Sequence, residues 1–204
     1  MRRSRNISAR RCWSIKTSNL AAVSLFAALT AIGAFIKIPL PYVPFTLQVL
    51  FVYLAGSLLG SKKGMLSQLV YVGIGLAGVP VFTQGGGIGY FLQPTFGYLL
   101  GFIAAAYVVG FIIERIQNPK TIHFILANLA GIFVVYLIGV PYLYLALNTW
   151  MGVTSSWGHI LLVGFVYGIG GDIILTVLAG MLTMRLYKAF HSIRNRHVNV
   201  QKTM

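Results

Sequence analysis

Only two carboxylates occur in the 204 residues, Glu114 and Asp172. Glu114 stands beside Arg115, and a solvated ion pair accounts for it. Asp172 lies within Gly168-Ile-Gly-Gly-Asp-Ile-Ile-Leu-Thr-Val, an apolar run well short of the basic C-terminal segment. A carboxylate carried to the middle of such a run costs about 2.5–3.5 kcal/mol on insertion scales, so it faces a cavity or a partner. An ionised carboxylate only accepts hydrogen bonds. Asp172 therefore suits a ligand that offers N–H groups, such as an amide or a ureido function. A structural bond to a neighbouring helix is the competing reading. Gly168, Gly170 and Gly171 thin the helix just before it, which lets a ligand or another backbone lie close.

A second concentration of useful side chains is the stretch PVFTQGGGIGYFLQPTFGYLLGF, from Pro80 to Phe102. Gly85, Gly86 and Gly87 free the backbone and permit close approach. Gln84 and Gln93 both donate and accept, and Tyr90 and Phe91 supply flat apolar area. A small, partly polar ligand needs that combination; a plain connecting loop is the alternative. No enzyme class fits as well. There is no HExxH helix, GxSxG elbow or Walker A loop, and the four histidines are dispersed. GIGLAG, from Gly73 to Gly78, matches the dinucleotide fingerprint by letter but lacks its strand and acidic residue. The lone Cys12 excludes an internal disulfide and any multi-cysteine metal site. No catalytic residue, metal or cofactor is expected.

The elements that must position these residues are membrane helices. The chain is 57% hydrophobic and 9% charged, with repeated continuous apolar runs near the ~20 residues that span a bilayer. Continuous runs favour helices over a barrel, whose strands alternate. Six spans are expected, over about residues 18–36, 45–60, 64–79, 94–116, 122–147 and 158–187, with Pro141 as a kink in the fifth. Basic tails would flank this domain at 1–17 and 188–204. Every Lys and Arg except Lys37 falls in those tails, in the connections after the second and fourth spans, or, like Arg115 and Arg185, at the end of a span that adjoins one of them. By the positive-inside bias both termini and these connections are cytoplasmic. The +14 charge thus marks orientation and attraction to anionic lipid, not nucleic acid. Lys37 sits on the outer side as a snorkelling anchor or as a partner for an anionic solute. Along helix 1, Ser24 and Ala28, Ala27 and Ala31, and Thr30 and Ala34 repeat at the small-residue spacing that lets membrane helices approach.

Three collinear motifs, KIPLPYVPFTLQ (Lys37 to Gln48), the Pro80–Phe102 stretch and the late Gly-Gly-Asp172, resemble the BioY family over about residues 20–185. These are the biotin-specific substrate-capture (S) components of energy-coupling factor (ECF) transporters. The resemblance implies an all-α, six-helix S-component bundle in the inner membrane of a bacterial cell, with biotin bound near its outer side. It also implies a transmembrane coupling subunit and two cytoplasmic ATPases as partners. Asp172 matches the family's helix 6 aspartate, expected to hold the ureido ring. Gln84 would add a hydrogen bond, Tyr90 and Phe91 would pack on the ring system, and Gly86, Gln48 and Lys37 complete the expected set. Small residues of helix 1 typically meet the coupling subunit, which points to Ala27 and Ala31. One departure stands out: the family often has Pro-Gly-Asp and then Lys three residues on, where this chain has Gly170 and Leu175. An S component for another small vitamin, or a stand-alone low-affinity facilitator, are the alternatives. The facilitator would need a continuous polar face, whereas polar groups gather at one end.

Overall fold

A computed structural model describes residues 17–202; the basic stretch before Thr17 lies outside them. Helix α1 (Thr17–Phe35) leads into two short strands, β1 (Lys37–Ile38) and β2 (Phe45–Thr46), paired antiparallel with Lys37 opposite Thr46. Between them the prolines exclude helix by removing donors and restricting the residues before them. Helices α2 (Gln48–Leu59) and α3 (Ser61–Leu76) follow, separated only by Gly60. The long connection to α4 (Phe96–Glu114) contains a 3₁₀ turn at Ile88–Leu92. Helix α5 (Thr121–Leu145) runs on through a π turn to Trp150 and carries Pro141 inside it. The last rod comprises α6 (Trp157–Leu161), a π turn (Leu162–Val166) and α7 (Tyr167–Lys202). It therefore continues past residue 187, where the last span was expected to end.

Three helical segments are long and apolar enough to cross a bilayer: Phe96–Glu114, Thr121–Trp150 and Trp157–Ala189. Segments Asn19–Phe35 and Gln48–Leu59 are apolar but shorter. At 12 residues, α2 rises about 18 Å against a hydrocarbon core of about 30 Å. Strand β2 takes its expected first residues and Gly60 ends it. Outward-facing side chains are large and apolar, among them Phe35, Phe133, Leu137 and Ile174. Helices apolar on all sides are what lipid requires.

Helix α4 packs against α2, α3 and α5, and α5 packs against α7. At the end bearing Lys62, Lys63, Arg115 and Lys120, these contacts are made by glycines. A Cβ on Gly110 would lie 2.4 Å from the Ser61 nitrogen, and one on Gly56 would lie 2.5 Å from the Ala106 oxygen. Gly60 takes φ 85°, a conformation open to glycine. Glu114 then reaches across from α4: Oε1 accepts from the Ser61 amide at 3.0 Å and Oε2 from the Ser61 hydroxyl at 2.7 Å. It caps the first turn of α3, where free N–H groups and the helix dipole favour a carboxylate. The expected Glu114–Arg115 pair is thus corrected. Arg115 lies over the Phe111 ring, 4.1 Å from its centroid.

Helix α1 buries Val23, Phe26, Ala27, Thr30 and Ala34, a stripe with helical period. Ala27 is 4% exposed within the core, and Ala31 packs partly buried against the same core. Ala27 therefore serves the chain's own packing, and Ala31 does so in part. The small residues that α1 turns outward are Ala21, Ser24 and Ala28.

Candidate functional site

At the opposite end from the basic corner, α2, α4, α5, the α6–α7 rod and both long connections surround a partly enclosed cleft. It holds about 620 Å³ free of protein atoms, the open solvent at its mouth included. Asp172 lies on its wall, 9% exposed. From α5, the Tyr136 hydroxyl donates to Asp172 Oδ2 at 2.5 Å. Among the described residues Oδ1 accepts no hydrogen bond, so one carboxylate oxygen is held and the other is available to a ligand. A hydrogen bond to an ionised partner contributes about 1.5–3 kcal/mol, enough to offset much of the insertion cost of the charge.

Glycines seat the rings around this carboxylate. A Cβ on Gly168 would lie 2.9 Å from the Tyr136 hydroxyl, and one on Gly171 would lie 2.6 Å from the Phe45 ring. Gly139 of α5 gives the same room to Tyr98, whose hydroxyl donates to the Gly164 carbonyl at 2.7 Å. Tyr136 meets Tyr98 and Phe165 edge-on, with centroids 6.2 and 4.8 Å away. Phe45, Tyr98 and Tyr136 therefore form rigid apolar walls around one acceptor.

The facing wall is a fixed polar network. Gln48 Nε2 donates to the Tyr71 hydroxyl at 2.6 Å, while its Oε1 accepts from Thr46 at 3.1 Å. Tyr71 passes the chain on to the Val81 carbonyl at 3.2 Å. The Tyr90 hydroxyl lies 3.0 Å from the Thr83 hydroxyl and 3.1 Å from that of Thr95. Phe82, buried against Gly75 of α3, lies 4.4 Å from the Tyr90 ring. That anchor fixes the loop.

Of the residues expected from sequence, Asp172, Gln48 and Tyr90 come together on this cleft. Gln84, Phe91, Gly86 and Lys37 do not line it. Phe82 and Gly85 pair as a small hairpin; of the two residues at its tip, Thr83 faces the cleft and Gln84 is exposed. Phe91 is 46% exposed, and its carbonyl accepts a hydrogen bond from Tyr142. Gly86 packs against the end of α3, where a Cβ would lie 2.2 Å from the Val79 oxygen. Lys37 is exposed and donates to the Thr83 carbonyl at 2.5 Å, which ties the two long connections together. Leu175 is buried outside the lining. Tyr136, Tyr98, Phe45 and Thr83 were not anticipated. Nothing in a single apolar helix says which of its tyrosines faces a carboxylate 36 positions away.

Comparison with known proteins finds relatives in both sequence and fold. The sequence profile described as the BioY family matches residues 4–192. A probable biotin transporter BioY of Lysinibacillus sphaericus is 59% identical over 178 residues, 87% of this chain and 91% of the relative. The biotin transporter BioY of Thermotoga maritima is 38% identical over 170 residues, 83% of this chain and 95% of the relative. Among solved structures, the S-component for biotin from an ECF-type ABC transporter superposes with TM-score 0.73 at 27% identity, covering 84% of this chain and 91% of that one.

Proposed function

The chain belongs to the BioY family, and on that premise we propose that it is a membrane subunit that captures biotin for uptake. Asp172 Oδ1 accepts an N–H of the ureido ring while Tyr136 fixes the other oxygen, and Tyr98, Tyr136 and Phe45 pack on the bicycle. The observation that carries this reading is the half-satisfied carboxylate among aromatic walls. An ionised acceptor in a largely dry site makes a strong bond to N–H, and flat apolar walls suit a compact ring system. Gln48 and Tyr90 hold the far wall. Gln84, Phe91, Gly86 and Lys37 act through the loops that cover the site.

On the same reading the helices make six passes across a bacterial inner membrane with both termini cytoplasmic. The cleft then opens outward, and the Glu114 corner lies inside with Lys62, Lys63 and Arg115. No ATP-binding motif was found in the sequence, so energy comes from an ECF module: a transmembrane coupling subunit and two ATPases. Helix α1 meets that module with its outward small residues, Ala21, Ser24 and Ala28. The chain does no covalent chemistry. Labelled biotin binding to the purified protein in detergent, with riboflavin, thiamine and lipoate as competitors, tests the assignment. Saturable binding displaced by unlabelled biotin alone supports it; displacement by another vitamin, or no binding by folded protein, rejects it.

A further inference from the structure

The mouth of the cleft carries a contact that none of the preceding roles uses. Val43 and Pro44 line the cleft from the β1–β2 turn, and Val163 and Gly164 line it from the rod. Tyr42 immediately precedes the first pair, and His159 lies one helical turn before Val163. Neither lines the cleft itself; just beyond the residues that do, their rings meet edge-on, with centroids 6.3 Å apart and planes at 86°. His159 is exposed, and its backbone amide is held by the Ser156 side chain that caps α6. Tyr42 takes φ 61° and is the one described non-glycine residue with positive φ. A tight turn from the Val43 amide to the Pro41 carbonyl, 2.7 Å, keeps it there. A bulky side chain in that region is an outlier, and such outliers gather where a ligand is clamped or a segment switches.

We propose that Tyr42 and His159 form the rim that reads a carboxylate on the bound molecule: the imidazole and the tyrosine hydroxyl are its hydrogen-bond donors. This rests on the biotin reading above. Biotin carries its carboxylate on a flexible chain at the end remote from the ureido ring, so a ring seated at Asp172 sends that group toward the mouth. Lys37 and His159 are the two cationisable side chains among the described residues at this end. The Lys37 ammonium is engaged with Thr83, whereas the His159 ring meets the Tyr42 edge and, among the described residues, makes no hydrogen bond. The site would take a monoanionic carboxylate and would discriminate against its neutral ester.

The test titrates the full-length protein in detergent with biotin and with biotin methyl ester, in the unmodified form and in H159Q, Y42F and K37Q. A charge-assisted bond at the rim gives the acid an advantage of about tenfold over the ester. H159Q should lose most of that advantage while keeping its affinity for the ester, which doubles as the control for folding. Y42F should lose about two- to threefold of it, and K37Q none. An acid preference that survives H159Q, that collapses in K37Q instead, or that falls equally for both ligands overturns the rim assignment. Failure of the unmodified protein to bind either ligand would bring down the biotin reading itself, and the rim assignment with it.

Discussion

Glu114 and Asp172 carry the same functional group in two environments that differ in how much of it the protein uses. At the basic corner both oxygens of Glu114 are committed to Ser61, at 3.0 and 2.7 Å, and glycines bring α2, α3 and α4 into backbone contact around it. In the cleft, Tyr136 takes one oxygen of Asp172 and the protein leaves the other without a donor among the described residues. A saturated carboxylate fixes a fold. A half-saturated one, set among aromatic walls, retains affinity for an outside donor. The glycines differ in the same way, admitting backbone at the corner and rings at the cleft.

That contrast can be broken most severely at Asp172 itself. Asp172→Asn removes the charge and replaces one acceptor oxygen by a donor, and biotin affinity should fall roughly 10- to 100-fold, measured by equilibrium binding. Next in size, Gly110→Ala forces a Cβ against the Ser61 backbone. It should cost about 1–3 kcal/mol, read as a lowered unfolding midpoint in detergent with biotin affinity unchanged in the protein that remains folded. Tyr136→Phe leaves the ring in place and removes one hydrogen bond, so the affinity loss should be about 3- to 10-fold. At the small end, Gln84→Ala should change affinity by less than about twofold, because an exposed side chain outside the lining loses little on truncation. A loss as large as that of Tyr136→Phe would restore Gln84 to the site.

Much of this arrangement could be read without coordinates, for identifiable reasons. Long apolar runs and the Gly60-Ser61-Lys62-Lys63 break mark most helix limits, since lipid demands one and backbone chemistry the other. Asp172 is conspicuous because a carboxylate within an apolar run has few structural excuses. What stayed hidden depends on contacts between distant positions. Tyr136 meets Asp172 across 36 residues and Glu114 meets Ser61 across 53, whereas sequence offers only the neighbour Arg115. Helix 1 shows several small-residue pairs at the same spacing, and only packing decides that Ala27 faces inward and Ala28 outward. In the outer loop, Phe82 fills the space beside Gly75 and sets the hairpin so that Thr83, not Gln84, reaches the cleft.

The most direct measurement pairs the two carboxylates in one experiment: biotin affinity and thermal unfolding midpoint for Glu114→Ala and Asp172→Asn, each beside the unmodified protein. Glu114→Ala should lose about 1–2 kcal/mol of stability, as for a lost helix cap, and keep its affinity. Asp172→Asn should keep its midpoint and lose its affinity. Full biotin affinity in folded Asp172→Asn, or a binding loss in Glu114→Ala matching that of Asp172→Asn, would contradict the division between a carboxylate that holds the fold and one that holds the ligand.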